Sequence, residues 1–274
     1  MGLKLQPVPA AAGLRWVRQA FEEYFHHPLP YSGMLVGYIL ACFGMLLLWS
    51  LPATISSVFA YIGAALVVMG MPLLTLGFMM GTHGRLQGRL VHVGLFFAPW
   101  RQKEPDRRRA LLQLLVAFVI ATLAALALLS LVDDGALDAL QEAMLKGTAS
   151  EAEMARLMSA PGLASAIAWR MLVTAVVSIP FWFAPALVFW GGQGAAQSMF
   201  SSAVALWRAR GAFAMYLLGW VAALLMATLL VSFMLALLWA SITSLVAMPL
   251  SLVLSTAFYV SLYFSFRDCF GEPY

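Results

Sequence analysis

Charge is scarce in this sequence. Only 10% of its 274 residues are Asp, Glu, Lys or Arg, while 63% are hydrophobic and the mean hydropathy is +0.89. Soluble domains carry about 25% charged residues. Too little polar surface is present to face water, which excludes a soluble globular domain, and the apolar excess excludes disorder. The class that remains is an all-α, polytopic integral membrane protein. Cysteine is limited to Cys42 and Cys269, so a disulfide framework is excluded and both read as small apolar filler. GxSxG, HExxH, CxxC and P-loop patterns are missing. The expectation is therefore a non-enzymatic protein without cofactor or metal. A cleaved leader is not expected either, because residues 1–28 interleave Lys4, Arg15, Arg18, Glu22 and Glu23 with their apolar residues.

The long uncharged runs place the spans. Pro28 to Thr82 and Ala212 to Phe266 are each 55 residues without a charge. One span needs about 20 residues, so each run holds two helices and a turn. The predicted spans are 31–50, 54–79, 110–131, 163–190, 212–240 and 244–266, with breaks at Ser50-Leu51-Pro52-Ala53 and near Ala240 to Ser244. Pro180 and Pro185 should kink the fourth span or end it early.

Basic residues set the orientation. Lys4, Arg15, Arg18, the 85–109 segment, Arg208, Arg210 and Arg267 place 13 of the 16 Lys and Arg on one side. Lys and Arg stay cytoplasmic, so both termini are expected inside a bacterial inner membrane. The 133–162 loop then lies in the periplasm. It is acidic, and helical spacing of Leu137, Leu140, Met144 and Leu145, then of Met154, Leu157 and Met158, predicts two short amphipathic helices.

Three amphipathic stretches precede the three spanning hairpins: 13–25, 84–97 and 195–208. Each has a Trp beside or near Arg: Trp16, Trp100 and Trp207. They read as cytoplasmic interfacial helices and suggest a threefold internal repeat.

The block Phe181-Trp182-Phe183-Ala184-Pro185-Ala186-Leu187-Val188-Phe189-Trp190 is distinctive. So are Ala203-Val204-Ala205-Leu206-Trp207-Arg208, Gly211-Ala212-Phe213, Gly13-Leu14-Arg15-Trp16-Val17-Arg18-Gln19 and Asp133-Asp134-Gly135. Together they resemble a Burkholderia-type, betaproteobacterial family of six-helix inner-membrane proteins of unknown function. That family is distantly similar to the membrane domain of some glycerophosphodiester phosphodiesterases. The resemblance covers nearly the whole chain and implies a six-helix membrane protein, with no activity or cofactor attached. Arg208-Ala209-Arg210 departs from the family pattern, in which Asn follows the Trp-Arg pair.

Candidate sites follow from charge. Arg85, Arg89, Trp100, Arg101, Lys103, Arg107, Arg108, Arg109, Arg208 and Arg210 form a collar expected to hold anionic lipid headgroups. Gly81 to Arg89 combines glycines and guanidinium groups that suit a phosphate, or simply a turn after the second span. His26, His27, His83 and His92 read as interfacial polar residues rather than metal ligands. Arg170 is the one basic residue inside a span and is expected to pair with Asp133 or Asp134. Small residues at four-residue spacing, including Gly33 and Gly37, then Gly77 and Gly81, mark close helix packing. The leading function is lipid or amphipath handling, or scaffolding of partners. The alternative is a small-molecule transporter or permease with a path along the broken fourth helix. Expected partners are anionic membrane lipids and a second copy of the chain or another membrane protein, and not nucleic acid.

Overall fold

A computed structural model describes residues 4–53, 56–101, 104–131, 135–146, 150–237 and 240–273. These residues are helical, with no strand among them. In chain order the elements are α1 (Ala12–His26), α2 (Pro28–Ala53), α3 (Ser57–Leu86), a 3₁₀ segment (Val93–Arg101), α4 (Pro105–Ser130), α5 (Ala136–Lys146), α6 (Glu151–Met158), α7 (Leu163–Phe181), α8 (Ala184–Phe189), α9 (Ala195–Arg208), α10 (Arg210–Leu237) and α11 (Ala240–Phe270). Six helical stretches are long and apolar enough to cross a membrane: α2, α3, α4, α7 with α8, α10 and α11. The caps are local. Ser56 Oγ accepts from the Val58 N–H at 3.3 Å to open α3, and Pro105 sits in the first turn of α4, where its missing N–H costs nothing.

The helices start and stop somewhat differently from the uncharged runs. α4 begins at Pro105, so Arg107, Arg108 and Arg109 belong to its first turns rather than to a preceding loop. α2 runs through Pro52 to Ala53. The amphipathic stretch 84–97 is not one helix. Gly88 adopts φ +77, with its N–H on the Arg85 carbonyl at 2.8 Å and the Arg89 N–H on the Gly84 carbonyl at 2.8 Å. That paired closure around a left-handed glycine ends α3, and the chain re-enters helical geometry only in the 3₁₀ segment.

The fourth span is broken at Trp182-Phe183. Helix α7 carries Pro180 and ends at Phe181, and Pro185 lies in the first turn of α8. Ser202 of α9, wholly buried, inserts at the break. Its hydroxyl accepts from the Phe183 N–H at 3.1 Å and donates to the Ile179 carbonyl at 2.9 Å. Those two backbone groups are four apart and would bond each other in a continuous helix, so one side chain takes the place of the lost bond.

Packing is cyclic. The 3₁₀ segment seats on the α2–α3 hairpin, α9 on α4, α7 and α8, and α1 on α10 and α11. Each leading segment thus covers the hairpin that precedes it, with α1 closing the ring. The glycines on α2 and α3 admit the 3₁₀ segment. A methyl group on Gly77 would strike the Phe96 ring, and one on Gly37 would strike the Val93 side chain. Asp268 of α11 anchors the closure, accepting from Arg15 at 2.6 Å and from the Trp16 indole N–H at 2.8 Å. Wholly buried Trp16, Phe78, Phe183, Tyr263 and Phe266 concentrate at this basic end, whereas Leu40, Leu48, Leu123, Leu128, Leu230 and Phe233 point outward along the far halves of the helices.

Candidate functional site

The ring is open on one side. Helices α7 and α10 barely touch, although α9 packs firmly on α7 and α10 on α11. The gap is a groove of about 820 Å³, lined by Ile179 of α7, Trp182 at the break, Leu206 of α9, Leu217 and Trp220 of α10, and Phe258 of α11. That volume falls in the range of about 300–1,000 Å³ typical of ligand sites. Its lining is almost wholly apolar. Arg210 is the one charged residue among the described lining residues, and its guanidinium lies 5.4 Å over the Trp207 ring. Both side chains are exposed. The site therefore has an apolar body and a cationic, aromatic lip.

Trp182 sits at the back of the groove. Its ring meets Phe213, Tyr216 and Phe258 edge-on, with centroids 6.0, 6.3 and 6.1 Å away. Its indole nitrogen is buried and has no hydrogen-bond partner among the described residues. A buried donor without an acceptor costs free energy, about 1–3 kcal/mol, that a bound acceptor would recover. Behind Trp182, and sharing Ser178 and Phe258 with the groove, lies an inner cavity of about 390 Å³ between α3, α4, α7 and α11. Thr75, Thr174, Ser178 and Tyr259 bring hydroxyls to it, and two of these are turned to backbone: Thr75 donates to the Pro72 carbonyl at 2.9 Å and Ser178 to the Thr174 carbonyl at 2.7 Å. The rest of the lining is apolar.

The collar residues do not form one belt. Arg210 belongs to the groove. Arg89 and Arg107 line a separate concavity at the basic end. Arg85 donates to His27 Nε2 at 2.8 Å. Arg101, Arg108, Arg109 and Arg208 are exposed, and Trp100 is half-buried. Lys103 lies outside the described residues, as do Asp133 and Asp134, so the expected pairing of Arg170 falls there too. Arg170 itself is half-buried on α7. Trp16 differs from Trp207: it is buried against Phe213 and Tyr216 and hydrogen-bonded to Asp268, so it is a core residue rather than an exposed anchor. Sequence reasoning missed Asp268 and Ser202. Asp268 carried a signal, an acid beside Arg267 at the end of a 55-residue uncharged run. Ser202 carried none, because its partners lie on another helix.

Six long helices with outward apolar flanks define an α-helical polytopic membrane protein. The chain is 30% identical over 274 residues to a probable inner membrane protein of Burkholderia thailandensis, an alignment covering 99% of this chain and 96% of that protein. It belongs to the same family of bacterial inner-membrane proteins. No family model matches the chain. No solved structure matches it.

Proposed function

We propose that this protein is a non-enzymatic inner-membrane protein that holds an anionic phospholipid in the groove between α7 and α10, at the cytoplasmic leaflet. The observation that carries this reading is the groove itself: an apolar slot of about 820 Å³ with a cation at its lip. The acyl chains lie along Ile179, Leu217 and Phe258, and the headgroup meets Arg210 beside Trp207. An ester oxygen that reached Trp182 would satisfy its free indole N–H. The excess of basic residues at this end supports a lip in the cytoplasmic leaflet. Exposed Arg101, Arg108, Arg109 and Arg208 add a general attraction of about 1 kcal/mol each, which salt weakens.

The transporter reading would need a polar route past the break in the fourth helix. The inner cavity flanks the break, and its mainly apolar lining favours an apolar occupant over a hydrated solute. Nothing in the comparisons links the chain to glycerophosphodiester phosphodiesterases, and no phosphodiester chemistry is carried over.

Native mass spectrometry of the purified protein tests the proposal. The wild type should retain one phosphatidylglycerol or cardiolipin after extensive delipidation. Arg210→Gln removes a charge-assisted contact worth about 1.5–3 kcal/mol, so retention should weaken about tenfold or more. Equal retention by wild type and variant would reject this placement of the headgroup.

A further inference from the structure

The basic end carries a second concavity that the groove does not use. It encloses about 980 Å³ between the end of α3, the chain leading into the 3₁₀ segment, the start of α4 and the end of α8. No lining residue is shared with the groove. One wall is polar, formed by His83, Gln87, Arg89 and His92. Arg107 comes from α4, and Trp190 closes an apolar side.

The geometry of the polar wall follows from the sequence. Gly88, at φ +77, turns the chain back so that Arg89 lies against the end of α3, its N–H on the Gly84 carbonyl at 2.8 Å. The Arg89 guanidinium donates to Gln87 Oε1. The Gln87 amide must then give its N–H to His83 Nε2, 3.1 Å away. That leaves His83 Nδ1 to donate to the Tyr263 hydroxyl at 3.0 Å. A single relay therefore fixes the Arg89 guanidinium, the histidine tautomer and the α3–α11 contact. Across the cavity, Arg107 Nη1 donates to the Phe189 carbonyl at 2.9 Å, and its Nε pairs with Glu104. Gly192 lies beside the Arg107 guanidinium, and its φ of +62 is a left-handed conformation that favours glycine.

Two guanidinium groups, each held by a neighbour, thus line one cavity with two imidazoles. No carboxylate is among its described lining residues. Glu104 pairs with Arg107 and Glu272 is close enough to act on His83, so the positive charge left without a carboxylate partner among the described residues is that of Arg89. His83 and His92 share this cavity although they are nine residues apart. The adjacent arginines disfavour a metal cation and favour an oxyanion with several acceptor atoms.

We infer that this cup binds a phosphate-bearing anion, with Arg89 and Arg107 taking its oxygens and Gln87 and His92 completing the polar wall. The same chemistry suits a free phosphate or the phosphate of an anionic lipid headgroup. Both sources are tested on the full-length protein in neutral maltoside or in nanodiscs. In the first arm, inorganic phosphate is titrated into detergent-solubilised protein while the unfolding temperature is followed, with chloride at matched ionic strength as control. In the second, in phosphate-free buffer, nanodiscs of zwitterionic phosphatidylcholine are compared with discs containing graded anionic phosphatidylglycerol. A saturable rise in unfolding temperature in the first arm identifies free phosphate, and one confined to the second identifies the headgroup. In the responding arm, Arg89→Gln should raise the half-saturation concentration about tenfold, for the loss of one charge-assisted contact. Arg156→Gln, exposed on α6 and lining neither site, should leave it unchanged, and a lipid response lost in Arg210→Gln but kept in Arg89→Gln would assign it to the groove and overturn the inference. Arg89 is exposed, so its replacement keeps the fold. A rise matched by chloride, no saturable rise in either arm, or a wild-type response from Arg89→Gln would overturn the inference.

Discussion

Ser202→Ala tests the account of the broken fourth helix. The hydroxyl supplies both an acceptor for the Phe183 N–H and a donor for the Ile179 carbonyl, at 3.1 and 2.9 Å. Removing it without relaxation leaves the buried Phe183 N–H unpaired and the Ile179 carbonyl with only a long bond from the Trp182 N–H at 3.5 Å. Polar contacts within membranes average about 0.6 kcal/mol each, which sets a floor of about 1 kcal/mol for two. Fully buried unsatisfied groups cost about 1–3 kcal/mol, which sets the upper end. The Phe183 N–H and Ile179 carbonyl are spaced to bond each other, so the variant can recover part of the loss by straightening α7 into α8. Straightening would shift Trp182, the residue between the groove and the inner cavity. The variant should therefore unfold at a lower mole fraction of dodecyl sulfate in mixed micelles, with a loss of about 1–3 kcal/mol. It should also retain less lipid. Ser202→Val, too bulky to let the helix close, should be less stable than Ser202→Ala. Wild-type stability and wild-type lipid retention together in Ser202→Ala would refute the reasoning.

Other perturbations test other joints. Asp268→Asn keeps an acceptor for Trp16 but loses the charge opposite Arg15, which is about half exposed, so the cost should be about 1 kcal/mol or less. Asp268→Leu, which also strands the buried Trp16 N–H, should cost more, and dodecyl sulfate titration of both checks the order. Gly77→Ala pushes a methyl into the Phe96 ring and should cost about 1–3 kcal/mol, largely rescued by Phe96→Leu in a double-mutant cycle. For topology, in a chain lacking Cys42 and Cys269, a cysteine at Glu153 should react with an impermeant maleimide from the periplasm and one at Arg108 should not; the reverse would invert the orientation.

Length and hydropathy made the architecture readable, because each long uncharged run must be buried in lipid or in neighbouring helices. Residues 13–25 and 195–208 have one apolar face, and the structure has α1 and α9 there. Residues 84–97 have comparable periodicity but a different outcome, since Gly88 takes a left-handed conformation that periodicity does not register. Pro180 and Pro185 pointed to a discontinuity in the fourth span, but the residue that satisfies it, Ser202, lies on another helix. The collar was visible as a list of arginines, yet its division between groove and cup depends on which helices fail to meet. The gap between α7 and α10 is a property of the whole ring, as is the contact of Asp268 with α1 across 253 residues of sequence.

Photo-crosslinking inside the membrane tests the lipid groove most directly. Leu217 lines the groove, and its neighbour Leu218 is similarly exposed on α10 but lies outside it. A benzophenone amino acid is placed at each position in turn, activated in cells, and the adducts are identified by mass. The account predicts that Leu217 adducts are enriched in phosphatidylglycerol or cardiolipin relative to the bulk membrane, that Arg210→Gln abolishes the enrichment, and that Leu218 adducts follow bulk composition. Identical lipid profiles at the two positions would contradict it.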